Sequence, residues 1–293
     1  MTPVGPATMP RRGPLVQFAR AQPLGVVALL VILAMAFAGI FAELVAPLDP
    51  LDIDFAAMLG APSATHWAGT DAFGRDILSR LIYGARTALS IGFLSSMVGC
   101  TLGAAIGVAS AYFGGRIDDV IQRITDILLS FPIVVLALVV VAMLGRKLVL
   151  GIDLNLIVAI AIPIVPKVIR VVRAAALTVR EMPYVDAARA GGYSHARIIF
   201  RHMAPNVAAP YLIMLTAYIA QAILLEASLS FLGLGVAEPT PSWGLMLAGN
   251  ASDFYREAPW MILFPGFAIS LAVFAFNLFG DSLRDWLDPK LRT

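Results

Sequence analysis

Charge is scarce in this 293-residue chain: Asp, Glu, Lys and Arg make up 14% of it, against 59% hydrophobic residues. A soluble domain carries about 25% charged residues, and so few could not build a water-facing surface around a chain this long. Most of the surface must therefore meet lipid. Cysteine is nearly absent. The single Cys100 excludes an internal disulfide and, inside an apolar run, reads as a small buried hydrophobe. His66, His195 and His202 fall in expected loops, too scattered for a metal triad, so no metal site is expected. No G-x-x-x-x-G-K-S/T phosphate loop occurs, which removes the usual means of holding nucleotide. No histidine lies within an apolar run, so an intramembrane serine protease would lack its base, and no G-x-S-x-G turn is present. No catalytic residues are expected, and the chain does not read as an enzyme on its own. Its net charge of +2 is too small to argue for nucleic acid.

Long apolar runs are what the chain does have. A window of about 19 residues picks out six: 24–45, 87–112, 127–144, 154–172, 211–232 and 260–279. The first follows Arg11, Arg12 and Arg20 and contains Ala34-Met35-Ala36, as a secretory signal would. It is longer than the roughly 7–15 residues of a signal core, and it reads as a retained helix. Pro163 and Pro166 interrupt the fourth run, which is either kinked or ends near Pro166. No internal repeat is present. The expected fold is all-α and polytopic, with about six transmembrane helices.

Orientation follows from Lys and Arg. With the N-terminus inside, 15 of them fall in inner segments and 6 in outer ones, which puts both termini in the cytoplasm. The outer arginines partly cancel against Asp71 and Asp76, and on a helix Asp76 and Arg80 would pair at i,i+4. This divides the chain into a cytoplasmic segment 1–23, a first span 24–45 and an extracytoplasmic loop and pre-helix segment 46–86. A core over 87–280 follows, containing a cytoplasmic loop 173–206, and then a cytoplasmic tail 281–293.

That loop is patterned. Pro183 suits a first helical turn, residues 184–190 favour helix, and Gly191-Gly192 ends it. Ser194 can cap a second helix through Ile198, Ile199, Phe200 and Met203 that stops before Pro205. Such a pair could lie in lipid headgroups with its arginines outward. It could also dock a partner, because Ala187, Ala188, Ala190, Gly191 and Gly192 leave one end nearly bare of side chains.

The loop resembles the EAA signature of bacterial ABC importer permeases, carried here by Asp186, Ala187, Ala188, Gly192 and Pro205. Asp replaces the usual Glu, and Ala204 the usual Leu before the proline. Three further segments, 69–93 (GTDAFGRDILSRLIYGARTALSIGF), 229–247 (LSFLGLGVAEPTPSWGLML) and 276–292 (FNLFGDSLRDWLDPKLR), are similar to permeases of the dipeptide, oligopeptide and nickel group, most of all the C-type dipeptide permease. The resemblance implies a type I importer permease fold in a bacterial inner membrane. It assigns Asp186, Ala187, Ala188, Gly191, Gly192 and Pro205 to an ATPase-coupling loop. It also implies a second, homologous permease, two cytoplasmic ATPases that bind the ATP and Mg, an extracytoplasmic solute-binding protein, and no cofactor in this chain. The solute would be a di- or oligopeptide, with nickel complexes or glutathione as variants. The alternative is a secondary transporter driven by an ion gradient, with broken helices and midplane ion sites.

Gln221, Glu226 and Asn277 are the polar residues within runs that could line a pathway or join helices. Gln221 and Glu226 stand about 140° apart on a helix and need not share a face. Glu226 reads equally as an inter-helix strut, and Asn277 as a helix–helix hydrogen bond. Residues 239–243, with Gly244, read as an outer re-entrant or interfacial segment anchored at the interface by Trp243. Leu283, Trp286 and Leu287 suggest a short surface helix ended by Pro289, and disorder is expected before Pro14.

Overall fold

A buried carboxylate fixes where the longest helix begins. In the computed structural model, which describes residues 14–145, 147–149 and 152–287, α1 (Pro14–Ala21), α2 (Pro23–Ile40) and α3 (Ala42–Val45) precede α4 (Ile77–Phe113). Helix α4 starts ahead of the apolar run because Asp76 caps it, accepting from both N and Oγ of Ser79 at 2.8 Å. Asp76 also meets His66 Nδ1 at 3.0 Å. Committed to the cap, it is not the i,i+4 partner of Arg80 that its spacing suggested. Arg80 faces Asp71 and Glu238 instead.

The third expected span is broken. Helices α5 (Gly115–Leu129) and α6 (Ile133–Leu144) meet at 95°. Pro132 brings no amide to continue α5 and disfavours helical geometry at Phe131. Alone, α6 covers about 18 Å, short of the ~30 Å hydrocarbon core. Helix α5 is amphipathic. Ile117, Val120, Ile124 and Ile127 are exposed along one face, while Asp118 is held by Arg173 and Asp126 by Arg170. Strands β1 (Leu148–Val149) and β2 (Ile152–Asp153) form a small antiparallel pair before α7 (Leu154–Arg180). Helix α7 runs unbroken through Pro163 and Pro166, both buried, so it does not end at Pro166.

Beyond it come α8 (Pro183–Ala190), α9 (His195–Ile198), α10 (Ala208–Phe231), α11 (Trp243–Leu247), α12 (Asn250–Asp253) and α13 (Trp260–Leu287). Helix α13 is continuous to Leu287, so Leu283, Trp286 and Leu287 belong to its last turns and not to a separate surface helix. The expectations for Pro289 and for residues before Pro14 lie outside the described residues. Among those residues, five helical stretches are long and apolar enough to span, or six if the bent α5–α6 pair counts as one.

The core is a seam between α4 and α7, which run parallel. Gly99, Gly103 and Gly107 recur one turn apart on α4 and let the backbones close up. A Cβ on Gly103 would come 2.7 Å from Val168 Cβ. Helix α10 packs antiparallel on α4, and Tyr211 Oη meets Thr101 Oγ1 at 3.0 Å. Helices α13 and α2 form the outer layer, and the α2 span is only 17% buried, as a lipid-facing helix should be. Trp243 corrects its sequence reading. It is 1% exposed and donates Nε1–H to Leu81 O at 2.9 Å, so it is a core residue and not an interfacial anchor.

Candidate functional site

The segment between α7 and α10 folds as one compact bend. Pro183 occupies the first turn of α8, where its missing amide has no helical partner to lose. At the other end, Gly192 N donates to Arg189 O at 3.0 Å and Tyr193 N to Ala188 O at 3.1 Å. These are the two bonds of a Schellman cap, and Gly192 takes the left-handed residue it requires, at φ +73°. Ser194 caps α9, accepting from Arg197 N at 3.4 Å. The second helix does not stop before Pro205. It passes through a π turn (Ile199–Met203) and a 3-10 turn (Ala204–Val207), which holds Pro205 near its start, straight into α10.

One side of the bend is welded to the bundle. Val185, Ile198, Met203 and Val207 are buried in the same cluster as Val172, Ala176 and Val179 of α7. Ala188 joins them at 6% exposure. The other side presents Asp186, Ala187, Gly191 and Gly192 to the outside, with little side-chain matter between backbone and solvent. Asp186 pairs with Arg189 at 3.2 Å, but both are well exposed, so the pair contributes little stability. Pro205 is exposed near the root of α10, and of the six residues expected in the coupling loop only Ala188 is buried.

Sequence reasoning missed the groups that tie this bend to the end of α4. Tyr112 Oη and His195 Nδ1 lie 2.7 Å apart, across 83 residues of sequence. The Arg189 guanidinium sits over the Tyr112 ring at 5.4 Å, and Arg180 Nη1 donates to Ala111 O at 2.9 Å. These residues wall a cleft of about 480 Å³ beside the bend. No local pattern announces a contact so distant in the chain.

The span polar residues separate. Glu226 is 0% exposed, and its Oε1 accepts from Ser230 Oγ at 2.7 Å and Ser242 Oγ at 2.8 Å. Ser230 Oγ in turn accepts from Val236 N at 3.0 Å, so the carboxylate fastens both feet of the loop between α10 and α11. Gln221 is half-buried on another face of α10. Asn277 is exposed on α13, with no hydrogen bond to another helix among the described residues. The three do not form one site.

Comparison with known proteins decides what such a bundle is. Residues 99–293 match the family described as the inner membrane component of binding-protein-dependent transport systems. A dipeptide transport system permease of Alkalihalophilus pseudofirmus is 43% identical over 94% of this chain and 88% of its own. The chain belongs to this family. It is an ABC importer permease. Other relatives are a di/tripeptide permease of Pseudomonas aeruginosa, 42% identical over 90% of this chain and 87% of its own, and a glutathione permease of Pectobacterium atrosepticum, 40% identical over 90% and 85%. Among solved structures, a chain of the MetNI methionine ABC transporter in an inward-facing conformation superposes with a TM-score of 0.55 at 18% identity, covering 72% of this chain and 98% of that one. That likeness concerns the fold.

In the permease the resembling segments occupy distinct places. Residues 69–93 build the Asp76 cap and the first turns of α4. Residues 229–247 form the loop that Glu226 fastens and the helix that carries Trp243.

Proposed function

We propose that this permease imports di- or oligopeptides into the cytoplasm as one half of a transmembrane pair. A related second permease completes the pair. Two cytoplasmic ATPases, which bind the ATP and Mg, drive it, and an extracytoplasmic solute-binding protein supplies it. Both termini and the α8–α9 bend face the cytoplasm. The asymmetry of Lys and Arg, 15 against 6, supports that orientation. The relatives' names support the cargo: dipeptides, di/tripeptides and glutathione share amide bonds and charged ends.

The observation that carries this reading is the bend itself, bare on its outer side and packed on its inner side. A partner's backbone can approach Ala187, Gly191 and Gly192 closely, and a push there is not absorbed locally. Val185, Ile198 and Met203 pass it to α7, a rod of about 40 Å. A closing ATPase pair would thus tilt spans without touching the solute. Concentrating a solute a hundredfold costs about 2.7 kcal/mol, within reach of ATP hydrolysis.

The test is uptake of a labelled dipeptide by vesicles containing the assembled transporter. Uptake should stop when the ATPases carry a dead phosphate loop. Uptake that persists on an ion gradient with dead ATPases would refute the proposal.

A further inference from the structure

At the end of the bundle opposite the bend, four charged side chains pack together: Asp71, Arg75, Arg80 and Glu238. Asp71 is well satisfied. Its Oδ1 accepts from Phe73 N at 2.8 Å and Arg75 N at 3.0 Å, and its Oδ2 from Arg75 Nε at 2.7 Å. Arg80 is not. It is 2% exposed, yet among the described residues the one hydrogen bond of its guanidinium runs from Nη1 to Pro50 O at 3.2 Å. The nearest carboxylate oxygens, of Asp71 and Glu238, stand 3.8 Å and 3.6 Å away, beyond hydrogen-bond distance. Nε and Nη2 thus meet their carboxylates only as long ion pairs, and a better-placed acceptor would satisfy this buried guanidinium more fully. Arg80 lines a cavity of about 240 Å³ whose walls also include Ala72, Ile77, Met246, Ala251 and Met261.

We propose that this cavity receives the C-terminal carboxylate of a peptide, bound by Arg80 with Arg75 beside it, and that Glu238 is an internal carboxylate the ligand displaces. This rests on the peptide reading above. A guanidinium fork matches a carboxylate in shape and charge. Glu238 is 53% exposed and held by one hydrogen bond, from Arg75 Nη1 at 3.2 Å, so displacing it costs little. Its departure leaves two arginines against Asp71 alone, an excess positive charge that suits an anion. The loop need not move, because Val236 N donates to Ser230 Oγ and Pro241 O accepts from Thr87 Oγ1, holding its backbone on either side of Glu238. The volume lies below the ~300–1,000 Å³ of sites that enclose whole small molecules, so the cavity takes the last residue of a peptide, with its side chain against the apolar walls.

Binding of dialanine, its C-terminal amide and N-acetylalanine to the assembled transporter in nanodiscs tests this. Dialanine and N-acetylalanine should bind at least tenfold tighter than the amide. Glu238→Gln should tighten dialanine threefold or more by removing the competing charge, and Arg80→Lys should weaken it tenfold. Because Arg80 is buried and its variant could misfold, the exposed Glu238→Gln stands as the independent check. Equal binding of acid and amide, or no effect of Glu238→Gln, overturns the site. N-acetylalanine separates the two claims. Its binding, sensitive to Glu238→Gln, upholds the cavity even where peptide uptake fails. Peptide uptake indifferent to amidation, with no Glu238→Gln effect on binding, overturns the cavity and leaves the import reading standing.

Discussion

Gly192 has open space around it, since a Cβ there would meet nothing within 4 Å, yet its φ is +73°. The constraint is therefore conformational and not steric. A left-handed backbone costs an ordinary residue about 1–2 kcal/mol, and a β-branched one suits it worst. Gly192→Val should distort the cap and uncouple ATP hydrolysis from uptake, while Gly192→Asn should keep most of the transport rate. Wild-type uptake by the Val variant in reconstituted vesicles would show that the bend's shape is not what the ATPase reads. Glu226 is a different kind of residue. Its removal orphans two buried hydroxyls, so Glu226→Ala should destabilise the folded chain by about 1–3 kcal/mol. Glu226→Gln, which still offers an acceptor, should lose much less. Thermal unfolding in detergent distinguishes this from a pathway role, in which uptake would fall while the melting temperature stayed put.

Between elements, the close approach of α4 and α7 dominates. Gly103→Leu would force a side chain into Val168 and against Val165 O, which a Cβ would already approach to 2.9 Å. Overpacking of this kind costs about 1–3 kcal/mol or more. The variant should lose its monodisperse peak in gel filtration, whereas Gly266→Ala, facing open space, should not. The sequence showed this scale unevenly. Hydropathy found the apolar runs because lipid demands them, and Gly191-Gly192 marked the end of α8 because few other residues fit a left-handed cap. The break between α5 and α6 escaped, since a window average is blind to a 95° turn between two apolar stretches. Pro132 was its one local sign. Trp243 misled for a related reason: tryptophan near a span's end usually marks an interface, and only the fold supplies the Leu81 carbonyl that buries it.

For the whole molecule, the claim is mechanical. A side-chain-poor bend, fixed to α7 by Val185 and Met203 and to α4 by Tyr112 and His195, would convert the partners' ATP-driven closure into tilting of the bundle. Secondary transport needs no such bend, and an interfacial anchor would favour bulky side chains at Ala187 and Gly191. The chain's chemistry makes a direct test clean, because its only cysteine, Cys100, is 0% exposed. A single Ala187→Cys substitution therefore gives one reactive thiol at the bend. In oriented vesicles holding the assembled transporter, that thiol should react with a membrane-impermeant maleimide only from the cytoplasmic side, and should cross-link to an ATPase subunit. Labelling from the outer side, or a thiol that stays free of the ATPase in the intact complex, would contradict the account.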